Sequence, residues 1–478
     1  MTPTTRPGRW PHDCRGCIAG TLLAGLCIAA DAQSSQAPLA SEPSEPPKSY
    51  VIPALEIVGF DLLLSNFNRQ FSGVDDYDVS LKSIRDNLHG PWVTDNDPFK
   101  VNQFAHPYQG SLYHGAARSA GLGYWTAAAY TFAGSVWWEI TGEKTPPSKN
   151  DQIASGIAGS FFGEPLFRMA HLVLSSKGDM PKFWREVSAA VISPSLGFNR
   201  YAFGERFSNS FDSHDPEYYS HLSLGAARAT EDRPGTSSDL KRDQVQIDFA
   251  IDYGLPGKPG YSYDRPFDYF NFQVVASTPH GVESLSTRGL LIGTDYAIGA
   301  NYRGIWGLYG HYDYLAPQIF NLSTAALSLG STAQWWLSQD LALQGTGLVG
   351  VGYSAASTAR GVANDRDYHY GMAPRLGLDL RFVAGSRAAL DLTAAKYFVG
   401  TIANRNAGRD DITHATAAFT WRLAGRHAIG VKYDWSERNA TYPVIGDRSQ
   451  SRGTVGVYYT FLGMDRFGTV DWREPPHE

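Results

Sequence analysis

Residues 427–436 read HAIGVKYDWS and residues 454–461 read TVGVYYTF, and apolar side chains recur at every second position of both stretches. Glycine, threonine and charged residues such as Lys432 and Asp434 stand between them. Residues 368–382, YHYGMAPRLGLDLRF, repeat the pattern over a longer run. A period of two residues is typical of a β-strand with one apolar and one polar face.

This alternation recurs throughout the second half of the chain, where we expect about twelve strands. The predicted segments are residues 217–228, 243–254, 267–278, 284–297, 300–314, 322–336, 340–354, 367–382, 387–400, 411–422, 427–437 and 453–462. Bacterial outer-membrane barrels close with an even number of antiparallel strands, and closure leaves no strand edge unpaired. The expected fold is therefore α+β, with a small N-terminal helical domain followed by an antiparallel transmembrane β-barrel over residues 217–462.

The composition of the two strand faces favours a membrane barrel over a soluble one. The polar face is rich in Gly, Ala, Ser and Thr with paired charges, which suits a crowded lumen better than a solvated surface. Aromatic residues such as Trp335, Tyr397 and Trp435 recur near strand ends, as in the aromatic girdles of outer-membrane barrels. The alternative is a soluble periplasmic barrel or sandwich, in which the apolar face would form the core.

The N-terminus indicates export from the cytoplasm. Three arginines precede the apolar residues 18–30, and Ala30 and Ala32 offer the small side chains that a signal peptidase requires. We therefore predict a signal peptide over residues 1–32, which contains all three cysteines, and a flexible linker over residues 33–49. The expected location is the outer membrane, with outer-membrane lipid as a partner.

The overall composition excludes several classes of protein. The chain has 478 residues, 18% of them charged, and a net charge of -6 without a basic cluster, so we expect no nucleic-acid partner. A mean hydropathy of -0.28 is too polar for a multi-helix inner-membrane protein. No HExxH, Gly-x-Ser-x-Gly, phosphate-loop or Cys/His zinc pattern is present, so we expect no cofactor. The composition leaves the oligomeric state open.

The first half of the chain contains one uncharged stretch long enough to cross a membrane. Residues 119–138 carry no charge but are only weakly hydrophobic, so we predict a buried helix instead of a membrane span. Its expected partner is a helix over residues 151–168. Gly156, Gly159 and Gly163 would let the two helix backbones approach closely.

Polar side chains concentrate around these two helices. The candidate site residues are His106, Glu139, Glu143, Asn150 and Asp151. Two glutamates on one helix face, with a histidine and an aspartate nearby, could bind a divalent cation or supply a general acid and base. The simpler interpretation is that these residues cap helices and fix loops. Glu164 and Arg168, four residues apart, predict an intrahelical ion pair.

Three sequence motifs in this region resemble a known family. They are NQFxHPYxGSxY from Asn102, WExxGExxPPSxND from Trp138 and GExLFR from Gly163, the last with Pro165 in its variable position. Residues of about 95–205 are similar to the uncharacterised bacterial domain of unknown function 3943. The resemblance implies an exported protein that joins a helical region to a β-rich part, and it brings no established activity or catalytic residues.

These observations predict an outer-membrane barrel whose helical domain, residues 50–207, plugs or flanks the lumen. Residues 208–216 would be a linker and residues 463–478 a C-terminal tail. The role would be envelope structure or passage of a small solute, and a non-enzymatic protein is favoured. One alternative, by fold analogy, is an outer-membrane enzyme that uses the five candidate residues on lipid or lipopolysaccharide. Another is a soluble periplasmic binding protein.

Overall fold

The computed structural model describes residues 47–176, 178, 180–207, 211–232, 240–357, 366–400, 408–443 and 446–473. The predicted signal peptide and most of the predicted linker at 33–49 lie outside the described residues. Within them the chain forms an N-terminal helical region followed by a β-barrel.

Seven helices of eight or more residues make up the described part of the helical region. They are α1 (Val51–Phe71), α2 (Leu81–His89), α3 (His106–Ser119), α4 (Tyr124–Thr141), α5 (Gly159–Ser175), α6 (Lys182–Ile192) and α7 (Pro194–Phe203). A π-helical segment, Val101–Ala105, leads into α3. The short helix Lys149–Asp151 and the π-helical segment Gln152–Ala158 lead into α5. Ser148 caps the short helix, because its side chain accepts the backbone N–H of Asp151.

The predicted packing of the uncharged stretch is correct only in part. Residues 119–138 include most of α4, and a Cβ on Gly156 would lie 2.7 Å from the Phe132 ring of that helix. Gly159 and Gly163 instead face α3, where a Cβ on Gly159 would meet Gly110 at 2.7 Å. The π-helical segment has more residues per turn than an α-helix, so the three glycines do not share one face.

Twelve antiparallel strands form a closed barrel in which β1 pairs with β12. They are β1 (Tyr218–Asp232), β2 (Leu240–Tyr253), β3 (Phe270–Ser277), β4 (Gly281–Ile298), β5 (Tyr302–Leu315), β6 (Leu322–Trp336), β7 (Leu341–Ser357), β8 (Tyr368–Ala384), β9 (Ala388–Val399), β10 (Arg409–Ala424), β11 (His427–Tyr442) and β12 (Gly446–Leu462). Every predicted segment corresponds to one strand, and closure rules out the sandwich alternative. β12 begins seven residues before its predicted start at 453, because the alternation is lost where both strand faces are polar.

The polar strand face lines the lumen, as predicted. On β11, Lys432 is buried inside, whereas Val431 is 50% exposed on the outside. We call the end of the barrel where β1 starts and β12 finishes the tail mouth. The opposite end is the loop mouth.

The helical region flanks the barrel and does not plug it. Phe162 of α5 stacks on the outward ring of Phe272 at 6.2 Å and lies 5.9 Å from that of Tyr312. Thr287 on β4 donates to the backbone carbonyl of Phe161 at 3.1 Å. A plug is incompatible with the lumen, because the inward side chains of the barrel already crowd it.

Candidate functional site

The five predicted site residues lie where α3, α4 and the chain before α5 meet. His106 is the first residue of α3, Glu139 is in the last turn of α4, and Glu143 follows that helix. Asn150 and Asp151 belong to the short helix before α5. The fold therefore brings residues that are up to 45 positions apart to one end of the helical region.

Asn150 is the centre of a buried polar cluster. Its Nδ2 donates to Asp95 Oδ1 at 2.6 Å and to Asp151 Oδ1 at 3.1 Å, and its Oδ1 accepts the backbone N–H of Asp95 at 3.0 Å. His106 Nε2 lies 3.8 Å from Asp151 Oδ2, while His106 Nδ1 lies 3.3 Å from Ser155 Oγ. We call Asp95, His106, Asn150 and Asp151 the acidic cluster. Asp95 lies outside the three motifs, so the sequence does not predict it as a site residue.

The two glutamates hold the loop beside the acidic cluster. Glu139 Oε2 accepts the backbone N–H of Ser148 at 2.8 Å, and Ser148 Oγ donates to Asn150 Oδ1 at 2.9 Å. Glu143 Oε1 is farther away and accepts the indole N–H of Trp138 at 3.0 Å. Glu139 is therefore connected to the acidic cluster through Ser148, whereas Glu143 closes the end of α4.

Burial dominates the protonation of these groups. It raises the pKa of Asp151 well above its ordinary value, and the negative charges of Asp95 and Glu139 add to the effect. Burial lowers the pKa of His106 to about 4, against the opposing effect of Asp95. At neutral pH the imidazole is thus uncharged.

Two tyrosines of the barrel wall complete the acidic cluster. Tyr370 OH accepts from Asn150 Nδ2 at 2.8 Å and from Gln103 Nε2 at 3.1 Å. Tyr368 OH accepts from Asn102 Nδ2 at 2.9 Å. Sequence reasoning missed both tyrosines, because the alternation of β8 assigned them to its apolar face. The acidic cluster is thus a joint between the helical region and the outer wall of the barrel.

The geometry of the acidic cluster gives it a positioning role. A general acid or base must reach a substrate proton directly or through one water. The polar atoms of His106, Asn150 and Asp151 are buried and contact one another and the barrel wall. The two cavities described below have other lining residues. Within the described ranges, no group of three His, Cys, Asp or Glu side chains is placed to hold a metal ion.

A second buried cluster joins α5 to the barrel near the tail mouth. Glu164 contacts His114 Nε2 at 3.0 Å, Arg118 Nε at 2.7 Å and Arg168 Nε at 2.8 Å. Arg168 Nη1 also donates to Asp268 Oδ1, in the loop between β2 and β3, at 3.0 Å. The predicted pair of Glu164 and Arg168 is confirmed. We call these five residues the Glu164 cluster.

The lumen contains two cavities, which are the second candidate site. Their volumes are about 130 Å³ and about 90 Å³, and the smaller one lies nearer the loop mouth. Ion pairs line them: Arg288 with Asp379, Arg375 with Asp313, Arg381 with Asp252 and Lys432 with Asp248. Charges of both signs therefore face the same space, and each has an opposite partner nearby.

The C-terminal tail crosses the tail mouth. Gln334 on β6 binds both backbone groups of Val470: its side chain donates to the carbonyl at 2.6 Å and accepts from the N–H at 3.0 Å. Gln344 on β7 donates to the carbonyl of Gly468 at 2.9 Å. The tail starts at the end of β12, which lies six strands from β6 in either direction around the barrel. Residues 463–473 thus span the full diameter of the mouth, with Phe467 buried beneath.

The loop between β5 and β6 narrows the loop mouth. Ile319 and Phe320 in this loop are buried against inward residues of the barrel. Arg452 on β12 donates to the carbonyl of Pro317 at 2.9 Å and pairs with Glu283 at 3.1 Å. This loop therefore narrows the loop mouth from the wall, whereas the tail crosses the opposite mouth.

Solved structures similar to this chain are outer-membrane barrels of low sequence identity. The outer membrane channel DcaP of Acinetobacter baumannii is 10% identical, covers 52% of this chain and 97% of its own, and gives a TM-score of 0.26. An outer membrane channel from Pseudomonas putida F1 is 11% identical, with 51% and 94% covered and a TM-score of 0.29. The translocator domain of the autotransporter NalP from Neisseria meningitidis is 13% identical, with 56% and 97% covered and a TM-score of 0.25.

The sequence itself matches a family model only in the helical region. No curated protein is significantly similar in sequence to this chain. Residues 91–195, which include α3, α4 and α5, match the model described as Domain of unknown function (DUF3943). The part of the helical region that docks on the barrel through the acidic cluster and the Glu164 cluster is therefore similar to DUF3943 over residues 91–195.

Proposed function

We propose that the protein is an outer-membrane β-barrel whose lumen is a pathway for a small polar solute, with the C-terminal tail as its gate. The observation that carries the proposal is that the C-terminal tail crosses the mouth of a polar lumen whose wall is lined by ion pairs. The membrane location, the lining of the lumen and the tail contacts support it in turn.

The outer surface of the barrel fits a bilayer. Outward positions of β1, β11 and β12 expose Leu224, Val431 and Val457 to 50%, 50% and 65%. Trp335 and Trp421 are also exposed on the outside, where membrane barrels carry their aromatic girdles. Large apolar side chains exposed on several adjacent strands would be costly in water and are stable against acyl chains.

The lining of the lumen fits a small polar solute. The ion pairs around the two cavities offer donors and acceptors of both charges, and a solute that replaces one partner of a pair would leave the other satisfied. The small cavity volumes exclude a large substrate in this closed state. An apolar solute would lose contact with water without gaining an apolar surface.

The tail has the contacts expected of a movable gate. Gln334, Trp336 and Gln344 hold its backbone by hydrogen bonds, and Phe467 and Val470 are buried. Towards its two ends, Arg466 pairs with Glu217 at 2.6 Å, and Arg473 donates to the carbonyl of Ser338 at 2.9 Å. Each such hydrogen bond contributes about 1 kcal/mol, so the tail can detach without breaking any strand pairing. Short turns such as residues 425–426 lie at the tail mouth, which in outer-membrane barrels is the periplasmic side.

Single-channel recording in planar bilayers tests this proposal. Deletion of residues 464–478 removes the tail, whereas deletion of residues 474–478 keeps the part that crosses the mouth and is the matched control. We expect unit conductance from the longer deletion and closed traces from the control and the full chain. The exchange Q334A with Q344A should give brief openings. A folded barrel that stays silent after the longer deletion would contradict the proposal.

A further inference from the structure

We infer that the helical region lies in the same bilayer as the barrel, with α1 and α4 facing lipid acyl chains. The inference rests on the proposed function insofar as it requires the barrel to be in a membrane. It assigns the exposed apolar surface of the helical region to lipid, a role that a soluble plug or periplasmic domain would not have.

The polarity of α1 is inverted relative to a helix of a soluble protein. Its exposed face carries Leu55, Leu62 and Leu63, which are 66%, 60% and 73% exposed. Its inward face carries Asp61, which is buried and accepts a hydrogen bond from the hydroxyl of Tyr113. A soluble amphipathic helix buries its apolar residues and exposes its charged ones. A buried carboxyl beside Pro53 and Ile57 on the inward face, with leucines on the exposed face, is the arrangement of a helix surrounded by lipid.

The dimensions of α1 fit the same environment. Its 21 residues make a helix of about 32 Å at 1.5 Å per residue, close to the ~30 Å of a hydrocarbon core. By length and composition α1 could cross a membrane, although little of it is buried within the protein. Because burial in the protein does not explain its apolar face, another apolar medium must contact it.

The neighbouring α4 has the same inverted pattern. Thr131 and Glu139 face the protein interior and are buried, whereas Trp125 and Phe132 are exposed to 57% and 47%. Trp137, on the same helix, is exposed to 40%. Two helices that are separate in sequence therefore expose aromatic and aliphatic side chains outward. Chance exposure of single apolar residues would not produce this pattern in both helices.

The docking position places this surface at the height of the membrane. The helical region covers outward positions of β3, β5 and β8, including Phe272, Tyr312 and Tyr370, which would otherwise face acyl chains. A body that covers part of the lipid-facing wall must itself displace lipid. Its outer apolar face then lies beside exposed outward residues of the strands that it contacts, such as Val245 on β2 and Met372 on β8, which are 48% and 45% exposed. This continuity identifies lipid, and not a second copy of the chain, as the occupant.

A lipid-quenching experiment on the full chain tests the inference. The three native cysteines are replaced by serine, and a single cysteine is placed at Leu63 (L63C) and labelled with an environment-sensitive fluorophore. The matched controls are K82C, on the exposed polar face of α2, and V457C, on the outer face of β12. Each labelled protein is reconstituted in phosphatidylcholine vesicles with spin labels on the acyl chains, and aqueous iodide serves as the second quencher.

We expect the acyl-chain spin labels to quench L63C and V457C strongly, and iodide to quench K82C. Iodide quenching of L63C together with lipid quenching of V457C would overturn the inference and leave the membrane barrel intact. Iodide quenching of V457C would overturn the proposed function itself. A fluorophore at L63C that neither agent quenches would show a protein-covered surface, such as an interface between two copies, and would also overturn the inference. L55C, about two turns earlier on the exposed side of α1, repeats the test independently.

Discussion

The exchange E164Q tests whether the Glu164 cluster holds the helical region together. Glu164 is completely buried, and it is the shared carboxylate partner of Arg118 and Arg168. Although burial alone would raise the pKa of Glu164, the Arg118 guanidinium and the other cationic partners hold it well below the ordinary range. Glutamine retains the size of the side chain but removes the charge, so the exchange isolates the electrostatic part of the interaction.

The expected loss of stability follows from the contacts that each arginine retains in E164Q. Arg168 retains Asp268 at 3.0 Å and the carbonyl of Pro266 at 2.7 Å. Arg118 retains the carbonyl of Leu122 and the rings of Phe167 and Phe211 but loses its carboxylate partner, so its charge becomes uncompensated. Removing one partner of a buried ion pair costs about 3–5 kcal/mol, and we expect E164Q to destabilise the helical region by this amount.

A double exchange separates this mechanism from simple loss of contacts. If the cost of E164Q comes from the unpaired Arg118 charge, then E164Q with R118M should be less destabilised than E164Q alone. The assay is a urea titration of the full chain in detergent, followed by the helical band of circular dichroism. The mobility of the unboiled protein in gels reports the barrel separately. A change below about 0.5 kcal/mol for E164Q, or strictly additive effects in the double variant, would refute the reasoning.

Two further predictions use the same titration. A Cβ on Gly110 would lie 1.9 Å from the carbonyl of Ser155, so G110A should lower the free energy of unfolding by about 1–3 kcal/mol. Gly59 has open space around it, so the control G59A should be neutral or slightly stabilising. Equal effects of the two exchanges would contradict the close approach of the helices at Gly110. Burial, with the nearby Asp97, raises the pKa of Glu143 from 4.5 to about 7, so this carboxyl contributes stability that is fully present below about pH 4.5 and is lost as the pH rises through 7. E143Q should flatten this dependence on pH, and an unchanged slope would exclude Glu143 as its cause.

The barrel could be predicted from sequence because its signal is local. Each strand carries its own alternation, and the register of β11 with β12, which pairs Val431 with Val457, follows from matching the same face of adjacent strands. The strand ends beyond the apolar alternation were missed, since polar residues on both faces have no period. The tail could not be placed, because its contacts depend on Gln334 and Gln344 projecting across the mouth.

The position of the helical region was beyond sequence reasoning for a different reason. Phe272 and Tyr312 lie at outward positions, and nothing in their alternation distinguishes a wall that faces helices from one that faces lipid. The five candidate residues lie at one end of the helical region, but the contacts of Asn150 with Asp95 and Tyr370 join distant parts of the chain. A hydrogen bond between residues 220 positions apart leaves no local pattern in either segment.

The two joints explain why the tail, and not the barrel wall, is the movable element. The acidic cluster fixes the start of the α5 segment to Tyr370 on β8, and the Glu164 cluster fixes the same segment to Asp268 beside β3. One continuous helical segment is therefore attached at both ends across six of the twelve strands. A change in the curvature of this half of the wall would break a buried ion pair and a buried amide contact, whereas the tail can detach without disturbing either joint or any strand pairing. Opening of the lumen should consequently begin at Val470 and leave the strand pairing and both joints unchanged.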